Sequence, residues 1–181
     1  TLSVVDLRND RLLEVLTVAR SEQAFATETL PVGACFVPRI RQIGPKTLRC
    51  WFASEQPGKR QSQTYYRDFD LGTRTFEREV HRMKLRTSDG VFDLQPRHLY
   101  ADAAKQGFAR KPADAGLYLF DNFKEFDGRT YVAINNYLGA QQALCLLNAA
   151  ADTLEVVGHF NGPGQHALTE PAVNRLPDGT W

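Results

Sequence analysis

The chain is 181 residues long, 43% hydrophobic and 24% charged, ordinary proportions for a soluble globular protein with a sizeable core. Its 22 basic and 21 acidic residues leave a net charge of +1, so it lacks the electrostatic footprint of a partner for nucleic acid or anionic membrane. No apolar run approaches the roughly 20 residues of a bilayer-spanning helix, and no membrane partner is expected.

In chain order, the first stretch is V-V-D-L-R-N-D-R-L-L-E-V-L-T-V. It fits a hairpin turning at Asn9-Asp10, or an amphipathic helix capped there with Leu12, Leu16 and Ala19 on one face. The hairpin is favoured because β-branched residues alternate through it. Residues 21–31 read as a loop ending at Pro31.

Three strand-like runs follow between Ala34 and Asp70: A-C-F-V-P-R-I-R-Q-I, T-L-R-C-W-F-A-S and S-Q-T-Y-Y-R-D-F. An antiparallel meander is the simplest joining. A turn near Gly44 places Cys50 opposite Ile40 rather than Cys35. The three cysteines, Cys35, Cys50 and Cys145, are therefore expected as free, mostly buried thiols without a disulfide framework. D-F-D-L-G-T-R-T-F then marks a turn, with an outer strand reaching about Leu85.

Residues 91–115 form a long insert, in which Ala101–Gln106 is expected to make one helical turn. Loops of that length on a β-scaffold commonly carry binding groups, though a surface flap fits as well. Residues 116–160 repeat the meander in four runs, turning at Asp127-Gly128, Leu138-Gly139 and Ala151-Asp152-Thr153. N-G-P-G links them to the last stretch, T-E-P-A-V-N-R-L-P-D-G-T-W, read as a strand at Ala172–Leu176 and a Pro177-Asp178-Gly179 turn.

The hairpin pattern recurs. Val173-x-x-Leu176-Pro-Asp-Gly179 aligns with Phe123-x-x-Phe126-Asp-Gly128 and with Ile40-x-x-Ile43-Gly44. Such recurrence suggests an all-β chain, a β-propeller of antiparallel four-stranded meander blades, about two and a half of them here. The divisions would be 1–33 (partial first blade or closing strands), 34–90 (blade), 91–115 (insert), 116–160 (blade) and 161–181 (start of the next). Open blade edges imply the remainder of a longer chain, or self-association, as partner.

Glu170, Val173, Leu176, Asp178 and Gly179 fit the E-x-x-V-x-x-L-x-D-G segment without a gap. This resembles the sialidase-like propellers built of Asp-box (BNR) repeats. D-F-D-L-G-T-R-T-F looks like a degenerate Asp-box, with Asp68 for the serine, one extra residue before Thr75, and Phe76 for the tryptophan. The resemblance implies a glycoside hydrolase acting on glycans, secreted or periplasmic, with no cofactor. Its alternative is a non-catalytic propeller module that binds carbohydrate or protein.

In such enzymes a glutamate assists a tyrosine nucleophile, an exception to the two-carboxylate rule, and the resemblance gives that role to Glu170. No tyrosine is carried over. Of the family's three carboxylate-binding arginines, the first falls on Phe36; Arg39, three residues on, is the nearest substitute.

Asp121 and Asn122 enter the equivalent strand of the preceding blade and could line the same channel. His98 with Asp102 in the insert is a candidate acid–base pair. His81 and His159 read as packed or surface residues, and no histidine spacing suggests a metal site. Tyr65, Tyr66 and Tyr118 suit either sugar stacking or ordinary packing.

Overall fold

The structure, a computed structural model, describes residues 1–56, 61–108, 113–160 and 170–181. The expected N-G-P-G link, together with His166, lies outside these residues. In chain order the elements are β1 (Leu2–Asp6), β2 (Arg11–Leu16), β3 (Cys35–Gly44), β4 (Thr47–Gln56), β5 (Gln61–Asp70), β6 (Thr75–Phe76) and β7 (His81–Arg82). There follow β8 (Lys84–Thr87), β9 (Gly90–Asp93), α1 (Pro96–Lys105), β10 (Leu117–Leu119), β11 (Lys124–Phe126), β12 (Arg129–Asn136), β13 (Gln141–Asn148) and β14 (Thr153–Phe160). The chain is all-β in class, with curled sheets and one short helix.

The opening stretch is a hairpin, β1 pairing antiparallel with β2. Asp6 decides against the helix. Its carboxylate accepts the Arg8 N–H at 2.9 Å and the Asn9 side-chain amide at 2.8 Å, and Asp10 takes φ 51°. The chain is reversed before a helical turn can start.

A five-stranded sheet runs β3-β4-β5-β6, with β7 also paired to β5. This is the expected meander, and Ile40 lies opposite Cys50. All three thiols are free; Cys50 and Cys145 are buried and Cys35 half-buried. β3 alternates exposed and half-buried residues, as a strand with one covered face should. β4 and β5 instead read buried through six successive positions each. Trp51 and Tyr66 point into a large core with Met83, Leu85, Val132 and Ile134, while Cys50, Phe52 and Tyr65 meet Val18, Leu30 and Val80 on the opposite face.

The second sheet runs β10-β12-β13-β14-β8-β9, with β11 also on β12. Its meander from β12 to β14 is antiparallel as expected. Here the proposed boundary at residue 90 fails. The outer strand expected to reach Leu85 is only Thr75–Phe76, and the β8–β9 hairpin crosses to the second sheet. There β8 pairs parallel with β14, Leu85 opposite Leu154. Both leucines are fully buried, and sinking Leu85 into the shared core stabilises the crossing by roughly 1.5–3 kcal/mol.

The insert also differs. Residues 91–93 belong to β9, and the helix has ten residues rather than one turn. Pro96 is the first helical residue, where a fixed φ and a missing N–H cost nothing. The helix stops at Gly107 (φ 83°), where the Phe108 N–H returns to the Ala103 carbonyl at 2.9 Å and the Gly107 N–H to Ala104 at 3.2 Å.

The strand expected at Ala172–Leu176 is not formed; among the described residues the segment has no ladder partner. The turn is present, with the Leu176 N–H on the Thr180 carbonyl at 2.7 Å. Side chains do the docking. Trp181 packs on Phe126 and Tyr131 at centroid distances of 5.1 and 4.6 Å.

Candidate functional site

Three of the expected site residues are brought together, in an anchoring role. Asp121 accepts the Val173 N–H at 3.0 Å and pairs with Lys124 at 2.9 Å, while its other oxygen takes the Asn122 N–H at 2.8 Å. Lys124 also donates to the Val173 carbonyl. Arg39 donates Nε to the Asp121 carbonyl at 3.0 Å, Nη1 to Pro38 at 2.8 Å, and Nη2 to Phe120. All three of its nitrogens are engaged with backbone carbonyls, a use unlike gripping a substrate carboxylate. The cluster straps the 170–181 segment onto β11 and β12.

Glu170 itself is exposed, with φ 60°, and has no hydrogen-bond or ion-pair partner among the described residues. No tyrosine contact to it is found among them. Tyrosine–carboxylate contacts lie elsewhere, among them the Tyr118 hydroxyl on Glu55 Oε1 at 2.6 Å and the Tyr65 hydroxyl on Glu28 Oε2 at 3.3 Å. Burial and the adjoining carboxylates push both phenols up, Tyr65 to about 12. They are held as protonated donors, the reverse of an activated nucleophile.

The expected His98–Asp102 pair is not formed. His98 and Asp102 sit four apart on α1, but His98 turns outward and stacks on Phe92 at a centroid distance of 4.4 Å. Asp102 faces the core and pairs with His159 Nε2 at 2.7 Å. Gln141 approaches the other ring nitrogen at 3.3 Å. Asp102 also accepts the Ser88 N–H and hydroxyl at 3.0 and 2.9 Å, and the Gln106 amide at 3.1 Å. With the carboxylate between serine and histidine, the order is wrong for nucleophile activation, where histidine must lie between. The network fastens α1 and the β8–β9 turn to β14.

Spacing suggested no metal set, yet the structure brings Glu77, Glu79 and His81 within 4.8 Å of one another. His81 Nε2 lies 3.2 Å from Glu77, and its ring stacks on Tyr66 at 4.9 Å. The other Glu77 oxygen accepts the Asp68 N–H at 2.7 Å. These contacts account for the cluster as side chains that partner one another and the sheet beside β7.

The concavity with unused chemistry lies elsewhere, at the far end of the β4–β5 hairpin. The cross-strand pairs Phe52–Tyr65, Ser54–Gln63 and Gln56–Gln61 share one face. Phe52 and Tyr65 belong to the smaller core; beyond them the same face becomes polar. It opens into a cavity of about 260 Å³ walled by Glu28, Thr29, Pro31, Arg82 and Gln95 as well as the hairpin. A neighbouring cavity of about 180 Å³ shares Gln61, Ser62 and Gln95 and adds Pro96, Arg97 and Asp114.

Ser54 is 2% exposed and its hydroxyl has no partner among the described residues; Gln56 Oε1 is likewise buried and unpartnered among them. A buried polar atom without a hydrogen bond costs about 1–3 kcal/mol, so these two mark where a ligand would be welcomed. Around them the polar groups are held in place. Gln63 donates to the Thr64 and Met83 carbonyls at 2.8 and 3.3 Å and receives the Gln95 amide at 3.3 Å. Arg82 grips Glu28 through Nε and Nη2 at 2.8 and 2.7 Å and reaches Asp93 at 3.1 Å.

Sequence reasoning missed this wall. The available signal was S-x-Q before the 57–60 segment and Q-x-Q after it, polar residues at period two on strands otherwise too apolar to face water.

No protein family, curated protein or solved structure matches the chain in the three comparisons made.

Proposed function

We propose that the chain is a carbohydrate-binding module and that the glutamine- and serine-walled groove is its binding site. The unpartnered, buried Ser54 hydroxyl carries this reading. Sugars present dense, neutral hydroxyls that both donate and accept, and a wall of amides and hydroxyls backed by a tyrosine ring is complementary to them. The finer fold reading, blades of a sialidase-like propeller, is proposed for the two antiparallel meanders. Its support is the β5–β6 turn, where Asp70 accepts the Gly72 and Thr73 N–H groups at 2.7 and 2.8 Å, as an aspartate placed to organise such a turn would. The parallel β8–β14 pair is a departure from simple separate blades.

The binding test is a screen of immobilised glycans against this chain and Ser54→Val. Removing the hydroxyl should weaken retention about tenfold, the effect of losing roughly 1.4 kcal/mol. Equal retention by both proteins would count against the groove.

Glycoside hydrolysis is the second reading. It is favoured by Glu170, an exposed carboxylate in a rare backbone conformation of the kind that clusters at functional sites. In the intact protein, Glu170→Gln should then lower turnover of aryl glycosides, a sialoside included, by about 10²–10⁴-fold. An unchanged rate would remove Glu170 from catalysis.

A further inference from the structure

We infer that the sugar unit seated against Ser54 and Gln56 is uncharged, so that the groove selects neutral glycans and discriminates against sialic and uronic acids. This rests on the carbohydrate reading above and narrows its ligand class.

The argument is one of unsatisfied chemistry. Gln56 Oε1 is an acceptor without a donor among the described residues. A sugar hydroxyl supplies one, whereas an ionised carboxylate accepts only and would meet it with repulsion. The Ser54 hydroxyl donates or accepts and so suits the same alcohol.

Among the described lining residues the walls offer an anion little in exchange for its water. Arg82 is the one cation among the described lining residues of the larger cavity, and its charge is already shared between two carboxylates: Nε and Nη2 donate to Glu28 and Nη1 to Asp93. Glu28 adds a negative charge to the same wall, and the remaining described lining groups are neutral. An anion taken into such a site loses hydration beside a cation that two carboxylates already balance, which is unfavourable.

The adjoining cavity carries Arg97 and Asp114, one charge of each sign, and shares the lining residues Gln61, Ser62 and Gln95 with the first. A chain of more than one sugar unit can therefore run from Ser54 towards the start of α1 over an amide floor.

The test is calorimetric titration of the whole chain with matched probes: lactose against 3′-sialyllactose, and cellobiose and mannobiose against digalacturonic acid. At least one neutral disaccharide is expected to bind, with its acidic counterpart at least tenfold weaker. Glu28→Gln, which releases two nitrogens of Arg82, should narrow that gap by restoring acidic binding; circular dichroism and the thermal midpoint check that the variant is folded. Wild-type protein binding the acidic probes as well as or better than the neutral ones would overturn the inference while leaving the carbohydrate reading intact. Failure of every sugar to bind at millimolar concentration would overturn both.

Discussion

His159 Nε2 lies 2.7 Å from Asp102 Oδ2, joining α1 to β14 inside the protein, with the side chains 0% and 1% exposed. Burial by itself would raise the Asp102 pKa. The bond to His159 and the N–H and hydroxyl of Ser88 outweigh it and hold the carboxyl below its usual range.

A folded-state value below the unfolded one means that ionised Asp102 stabilises the fold. That contribution is complete above the unfolded value, near pH 4, and is lost as pH falls through the folded value. Asp102→Asn should lower stability by roughly 1–3 kcal/mol at neutral pH, measured by urea unfolding. It should also flatten the acid limb of the stability profile below about pH 4. An acid limb identical to that of the wild type would mean that the carboxylate does not hold the helix in place.

Arg49 makes a tie between the two sheets. Its guanidinium grips Asp68 with Nε and Nη2, both at 2.8 Å, reaches Asp152 at 2.9 Å, and lies 3.8 Å over the Tyr66 ring. Arg49→Lys keeps the charge but loses the fork and the stacking. A loss of about 1–3 kcal/mol is expected, visible as a lower thermal midpoint. An unchanged midpoint would show that a point charge suffices.

Gly33 governs the edge of the proposed groove. A Cβ there would fall 1.4 Å from the Glu55 carbonyl oxygen, a backbone atom that no rotamer change can move aside. The neighbouring Ala34 carbonyl is bonded to the Glu55 N–H at 3.0 Å, which pins the segment that carries Glu28, Thr29 and Pro31. Gly33→Ala should therefore destabilise by about 1–3 kcal/mol and weaken glycan binding as well. Full binding with unaltered stability would contradict this packing.

Glu170 has φ 60°, and a left-handed conformation costs a non-glycine residue roughly 1–2 kcal/mol. Glu170→Gly should raise stability by about 1 kcal/mol, measured by the same urea titration. A fall in stability would reveal a partner for the carboxylate.

Local chemistry was legible in the sequence wherever it acts between near neighbours. Asn9-Asp10, Gly44-Pro45 and Asp127-Gly128 mark turns whose partner strands are adjacent, so the hairpins and the two meanders could be read, including Ile40 opposite Cys50. The crossing of Lys84–Asp93 to the other sheet could not. It depends on Leu85 meeting Leu154, 69 positions away in the chain, and no local pattern encodes that pairing. The site was hidden for a similar reason. His98 and Asp102 have the spacing of a helical pair, but α1 turns their side chains to opposite surroundings, and the true partner of Asp102 is 57 residues distant. Ser54 and Gln63 sit in strands that look like core, and only the structure reveals that their face opens onto a cavity.

The most direct test of the groove is a nuclear magnetic resonance titration of the labelled chain with the neutral disaccharide that binds best. The expected result is a set of backbone amide shifts confined to residues 28–31, 54–56, 61–65, 82 and 95. Shifts centred on Glu170 with Arg39 and Asp121 would contradict the groove and move the site to the segment strapped across β11 and β12.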